Sequence, residues 1–168
     1  MRQKSLRQDM YWFRPMAAND LSLVRRWLET AHVSEWWGDP PEQLTLVSED
    51  LDHPAMDQYI VVANDRAFAY LQCYDQTAWP ENGLGQHPAG TRGIDQFIGE
   101  AGMVGCGHGS AFIRAFTDEL LAAGTPRIIT DPDPANARAV RAYEKAGFLR
   151  QREVDTPDGR ALLMVRTA

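Results

Sequence analysis

Between Val104 and Ser110 the chain reads Val-Gly-Cys-Gly-His-Gly-Ser, with glycine at 105, 107 and 109. The run stands between a stretch that reads as a strand, Thr91 to Ile98, and an apolar stripe at helical spacing. The stripe is Ala111, Phe112, Ala115, Phe116, Leu120 and Leu121, and it stops at Gly124. Glycine permits positive φ and lets a ligand approach the backbone. A helix start adds unbonded N–H groups and the positive end of the helix dipole, so an anion such as a pyrophosphate can sit there without a basic side chain. A P-loop is excluded, because no Gly-Lys-Ser/Thr is present. A dinucleotide-binding fold would place the strand near the N-terminus and an acidic residue after the next strand. Taken alone, the loop reads equally well as a flexible turn.

The rest of the chain builds around this unit. Met10 to Met16 is aromatic and β-prone and reads as a strand, with Pro15 near its end. Asn19-Asp20 offers a helix cap before Leu21, Val24, Trp27 and Leu28, which share one helical face. A short helical stretch runs from Val33 to Trp37, and Gly38-Asp39-Pro40-Pro41 breaks it before a third helix to about Leu51. Tyr59 to Ala63 and Arg66 to Tyr74 flank Asn64-Asp65 and read as a hairpin. Asp75 to Gly90 is a long polar loop rich in Gly and Pro. After the glycine loop and its helix come a strand (Arg127 to Thr130), a helix (Asn136 to Ala146), a strand (Phe148 to Val154), a Pro157-Asp158-Gly159 turn and a last strand (Ala161 to Arg166). The order implies one α/β (α+β) domain over residues 1–168. Its sheet is mixed and mostly antiparallel, with a parallel strand pair and flanking helices.

Composition narrows the function classes. The chain has 168 residues, 44% hydrophobic and 24% charged, which is globular rather than disordered. A net charge of -6 argues against a nucleic-acid partner and suits a polycationic small molecule, although many proteins are mildly acidic. Cys73 and Cys106 have no metal-ligand spacing, and His32, His53, His87 and His108 are scattered, so no metal is expected. The residues from Met1 to Asp9 lack a signal-peptide core, and no apolar run of about 18 residues exists, so a cytoplasmic protein with no membrane partner is expected.

A second motif follows the first. Asn136, Ala139, Tyr143, Gly147 and Phe148 form the pattern Asn-x-x-Ala-x-x-x-Tyr-x-x-x-Gly-Phe, with Asn136, Ala139 and Tyr143 on roughly one helical face. Spacing alone would make Tyr143 a half-buried core residue. Together, the glycine loop and this pattern resemble motifs A and B of the GCN5-related N-acetyltransferases (GNATs). The resemblance implies that the amides of Gly105, Gly107, His108, Gly109 and Ser110 hold the pyrophosphate of acetyl-CoA. It also implies that Asn136 contacts the pantetheine and that the Tyr143 hydroxyl lies near the thioester sulfur. Val104 stands where the family usually has Arg or Gln, so the loop would act through its main chain.

Further segments resemble the aminoglycoside 6′-N-acetyltransferases within that superfamily: Arg14-Pro15-Met16, Ser34-Glu35-Trp36-Trp37-Gly38, Arg92-Gly93-Ile94-Asp95-Gln96, Thr130-Asp131-Pro132 and Thr156-Pro157-Asp158-Gly159. Siderophore-biosynthesis acetyltransferases share some of them. By this resemblance Asp95 orients the attacked 6′-amine and accepts its proton, and Asp131 and Asp158 contact other amines or hydroxyls. Trp36, Trp37, Tyr74 and Gln96 stand on the acceptor side, and Trp79 lies in the long loop. Residue type alone gives other readings. Asp95 would be a strand carboxylate paired with Arg92 or another cation, Asp131 a turn or helix cap, Asp158 an ordinary Pro-Asp-Gly turn residue and each Trp a core residue. The implied reaction is direct acetyl transfer in a ternary complex by a monomer or weak homodimer. The alternatives are a different acceptor (a siderophore hydroxylamine precursor, a polyamine or a protein N-terminus) and a non-catalytic coenzyme-A-binding protein.

Overall fold

The computed structural model describes residues 6–8 and 10–168. Its strands are β1 (Leu6–Gln8), β2 (Tyr11–Pro15), β3 (Met56–Ala63), β4 (Arg66–Asp75), β5 (Arg92–Ile98), β6 (Ile128–Thr130), β7 (Leu149–Thr156) and β8 (Gly159–Arg166). The helices are α1 (Leu21–Leu28), α2 (Ala31–Trp37), α3 (Pro40–Asp50), α4 (His108–Ala122) and α5 (Ala137–Lys145). Among the described residues the strands form one sheet in the order β1-β2-β3-β4-β5-β6-β8-β7. The pairs β1–β2, β2–β3, β6–β8 and β7–β8 are antiparallel, and β5–β6 is parallel. The chain divides into two compact units: residues up to Gln72 with Gln96–Val104, and Cys73–Asp95 with Gly105–Ala168. The division falls inside β4 and β5.

In the first unit, α1 presents Val24, Trp27 and Leu28, the face expected from their spacing, to Ile60 and Val62 of β3, Tyr70 of β4 and Phe97 of β5. Gly99 lies directly under the Trp27 indole, where a Cβ would come within 2.1 Å of the ring. The β3–β4 turn is the expected Asn64-Asp65, with φ of 49° and 61°, the left-handed pair that a two-residue hairpin requires. Helix α3 is capped by Asp39, whose side chain accepts from the Glu42 N–H, and Pro40 occupies its first turn. Asp20 departs from expectation. It stands at the N-terminus of α1 but caps nothing there. A short 3-10 turn at Ala18–Asp20 swings its carboxylate back to accept two bonds from Arg14, at 2.8 and 2.9 Å, and one from the Ala17 N–H. Burial raises the Asp20 carboxyl, but these hydrogen bonds outweigh it and hold the group below its ordinary range.

In the second unit, α4 buries Phe112, Ile113 and Phe116, and α5 buries Val140 and Tyr143. Leu84, Ile129 and Leu163 form a smaller core with Val154 and Val165 against it. Leu84 belongs to the segment read as a polar loop. That segment is anchored, with a 3-10 turn at Gln76–Ala78 and a reciprocal amide pair between Gln76 and Asn82 at 3.0 and 3.1 Å. The boundaries of β7 and β8 agree with the sequence reading to within two residues, and β7 is the last strand of the order. Its exposed side chains are largely charged, among them Arg150, Arg152, Glu153 and Asp155, which discourages edge-to-edge pairing.

Candidate active site

The parallel pair sets the site. Its register is Arg92↔Ile128 and Gly93↔Ile129, at the beginnings of the two strands. Beyond that the Thr130 hydroxyl, rather than a backbone amide, donates to the Ile94 carbonyl at 3.0 Å. A side-chain bond thus stands where the ladder gives out, and the next residues on either side are Asp95 and Asp131. Leu162 then donates its N–H to the Pro132 carbonyl at 2.8 Å, tying the chain after Asp131 to β8.

The carboxyl groups of Asp95 and Asp131 act directly on each other, and two such groups can hydrogen-bond only by holding a proton between them. Burial pushes the Asp131 carboxyl well above the usual carboxylate range. The charge and hydrogen bond of Asp95 push the same way, followed by the charge of Asp158. Asp158 itself is exposed in the β7–β8 turn, where its N–H donates to the Thr156 hydroxyl at 3.2 Å. Tyr74 faces the same carboxylates. Burial pushes its phenol well above its ordinary value, and Asp95 and Asp131 add to that, ahead of Cys73 and Tyr143. A neutral phenol beside two carboxyl groups can donate a hydrogen bond but cannot hold a cation by charge.

Two neighbours fix Tyr74, and the sequence reading attached no role to one of them. A Cβ on Gly93 would meet the Tyr74 ring at 2.1 Å, so the phenol lies flat on that glycine. An isolated glycine within a strand signals such a close approach. Trp79 meets Tyr74 edge-on, with ring centroids 5.5 Å apart. Arg92, weighed as a partner for Asp95, directs its guanidinium at Cys73, with Nε 3.3 Å from Sγ and another nitrogen 3.3 Å from the carbonyl.

The glycine loop takes the form that the sequence requires at two of its three glycines. Val104 closes a 3-10 turn at Ala101–Met103. Gly105 and Gly107 have φ of 75° and 85°, and a Cβ at either would meet nothing within 4 Å. Backbone conformation, not crowding, calls for glycine there, and the space in front of the loop is open. Gly109 differs, since it is already the second residue of α4 and helical. His108 opens α4, and the Ser110 hydroxyl turns back to the Gly107 carbonyl at 3.3 Å. Gly107, at the N-cap, brings no side-chain cap to α4, which leaves this helix start suited to an external anion.

Asn136 caps α5, its side chain accepting from the Ala139 N–H at 3.2 Å. About two turns on from Asn136, Tyr143 is buried and packs edge-on against Phe148 at 5.4 Å. The motif spacing is therefore also a structural device: cap, helix and the aromatic pair that closes the Gly147 turn. Trp37, Trp36, Gln96 and Val104 fall in the first unit. Trp37 packs edge-on against Phe97 at 4.9 Å and Tyr70 at 6.0 Å, so its ring is tied into that unit's core. Trp36 is exposed, and Gln96 is half-buried on β5. Among the described residues no cluster of three His, Cys, Asp or Glu could hold a metal, and no helix is long and apolar enough to cross a membrane.

Known proteins resemble this chain. Residues 16–156 match the family model described as an acetyltransferase (GNAT) domain. An aminoglycoside N(6′)-acetyltransferase type 1 of Klebsiella pneumoniae is 37% identical over 95% of this chain and 84% of its own. A kanamycin resistance protein of Rhizobium radiobacter is 49% identical over 46% of this chain and 73% of its own. The solved structure of AAC(6′)-Ib in complex with ribostamycin and coenzyme A superposes with a TM-score of 0.84 at 35% identity, covering 95% of this chain and 94% of that one. The glycine-led helix, the opening parallel strands and these relatives agree, and the chain belongs to the GNAT acetyltransferases, in the group of the aminoglycoside N(6′)-acetyltransferases.

Proposed function

We propose that this enzyme transfers an acetyl group from acetyl-CoA to the 6′-amine of aminoglycoside antibiotics, directly within a ternary complex, and so confers resistance to them. The observation that carries the reading is the Asp95–Asp131 carboxyl pair, set where the parallel strands stop pairing. An aminoglycoside is a polyamine, and closely held carboxyl groups are what its ammonium groups require.

The residues present fit acetyl-CoA. The open space before Gly105 and Gly107, and the start of α4, suit a pyrophosphate. The amides of Val104, Gly105, Gly107, His108, Gly109 and Ser110 would hold it, with Asn136 reaching the pantetheine. Acetyl-CoA, when bound, supplies the acetyl group as a thioester. Asp95 holds the 6′-amine in line and takes its proton. Tyr143 presents its hydroxyl to the sulfur. Asp131 and Asp158 bind further amines, and Tyr74 lines the acceptor side. No metal takes part. The enzyme works in the cytoplasm as a monomer or weak homodimer, where the free thiols of Cys73 and Cys106 persist.

Protein mixed with acetyl-CoA and kanamycin or tobramycin should release free thiol well above background and yield the 6′-N-acetyl product by NMR. The Asp95→Asn variant should lose on the order of 100-fold or more in kcat, with the KM for acetyl-CoA little changed. Thiol release with spermidine or a hydroxylamine, but with no aminoglycoside, would overturn the substrate.

A further inference from the structure

The segment between β4 and β5 runs as a chain of contacts from Tyr74 to the β7–β8 hairpin. It begins at Trp79, whose ring meets Tyr74 edge-on. The 3-10 turn at Gln76–Ala78 sets Trp79, whose N–H donates to the Gln76 carbonyl at 3.2 Å. Asn82 closes over this turn. Its N–H donates to the Trp79 carbonyl at 3.2 Å, its Nδ2 donates to Gln76 Oε1 at 3.0 Å, and its Oδ1 accepts from Gln76 Nε2 at 3.1 Å. The same Oδ1 accepts the Leu84 N–H at 3.1 Å, so one amide fastens the turn behind it to the residues ahead. A carboxylate, which only accepts, would take this donor away from the buried Gln76. The residues ahead are firmly seated. Leu84 is buried against Ile129 and Leu163. Gly83, at φ of 84°, lies so close to β7 that a Cβ would come within 2.5 Å of the Asp155 carbonyl oxygen and 3.1 Å of the Thr156 Cα. Thr156 in turn holds the hairpin tip: its hydroxyl donates to the Gly159 carbonyl at 2.8 Å and accepts the Asp158 N–H at 3.2 Å. Direct contacts and chain bonds thus join Trp79, Asn82, Gly83, Thr156 and Asp158 without a gap, all within the second unit.

We infer that Asn82 is a positioning residue: with Gly83 it braces the β7–β8 turn against the segment that carries Trp79, and so sets where Asp158 stands relative to Tyr74. The consequence for acceptor binding rests on the substrate reading above, whereas the brace itself does not. Asp158 is exposed in a two-residue turn between Thr156 and Gly159, the kind of segment that is mobile unless something holds it. A loop that must be ordered at the moment of binding lowers affinity, and one ordered beforehand does not. The brace orders the turn in advance. It acts on the acceptor side and leaves the glycine loop untouched.

The test compares wild type, Asn82→Ala, Asp158→Asn and the double variant. Hydrogen exchange followed by mass spectrometry probes the brace without any substrate. In Asn82→Ala, residues 76–84 and residues 152–160 should both exchange about five- to tenfold faster, the effect of losing about one net hydrogen bond. Residues 105–115 should exchange as in wild type. Faster exchange confined to residues 76–84, a uniform rise across the chain, or no change in either segment overturns the brace. In steady-state kinetics each single variant should raise the KM for kanamycin about fivefold, with the KM for acetyl-CoA within about twofold of wild type. Because Asn82 acts through Asp158, the double variant should show a rise of about five- to tenfold in place of the product of about 25-fold. A rise within about twofold of that product overturns the positioning role. Should Asn82→Ala not fold, Gly83→Ala, which presses on the backbone of Asp155 and Thr156, replaces it in both experiments. Absence of thiol release with kanamycin in wild type overturns the substrate reading instead and leaves the exchange result standing.

Discussion

A methyl group at position 93 would sit 2.1 Å from Tyr74 Cζ, so the ring would have to leave its place beside Asp95 and Asp131. Gly93→Ala is therefore expected to cost about 1–3 kcal/mol of stability, as overpacking does. It should also raise the KM for kanamycin more than that for acetyl-CoA. Thermal melts and two-substrate kinetics check both. Asp131 gives a prediction of opposite sign. Its carboxyl is raised by burial first and by Asp95 next, so the folded protein keeps a proton that the unfolded chain loses near the ordinary carboxylate value of about 3.9. Between that value and the raised one the folded state binds more protons, and stability falls as pH rises. Asp131→Asn removes this cost, so its melting temperature should decline less between pH 4.5 and 8 than that of wild type. A parallel decline would show that the pair holds no such proton.

Helix α5 carries two duties at its first turn, and they can be separated. Asn136 accepts from the Ala139 N–H, and the proposed pantetheine contact would use its amide. Asn136→Ala should lose the cap, at about 1 kcal/mol, and raise the KM for acetyl-CoA. Asn136→Asp keeps an acceptor for the cap but loses the amide donor. It should melt like wild type while still binding acetyl-CoA more weakly. Equal KM values for acetyl-CoA in wild type and the Asp variant would leave Asn136 as a cap alone. The glycine loop shows the same division of labour. Gly105 and Gly107 hold left-handed φ, while Gly109 is already in the helix, so the third glycine of the run is kept by something other than backbone conformation.

At the scale of the molecule the net charge is -6, and within the second unit the carboxyl groups of Asp95 and Asp158 lie close enough to act on Asp131. A polycationic acceptor feels that field over about a Debye length, roughly 10 Å at 0.1 M salt. Raising the salt from 50 mM to 500 mM should therefore raise the KM for kanamycin by about tenfold. Acetyl-CoA, which is anionic and would be held by backbone amides in the proposed reading, should respond less. Steady-state kinetics across a salt series gives both numbers, and an unresponsive kanamycin KM would show that charge does not recruit the acceptor.

Sequence alone determined what depends on neighbours along the chain. Positive φ at Gly105 and Gly107, the Asn64-Asp65 turn and the apolar face of α1 are short-range, and each was legible because its signal lies within a few residues. The paired motifs gave the family for the same reason. What only the tertiary structure decided are contacts across strands. The Asp95–Asp131 pairing depends on the register of β5 against β6. The edge-on packing of Trp37 against Phe97 depends on how α2 seats on its sheet. Asp20 turns from α1 to Arg14 because a bidentate ion pair competes better than a cap. The bond from Arg127 to His87 spans 40 residues. No local pattern encodes such pairs, because the partners are chosen by the packing of the whole chain rather than by the residues beside them.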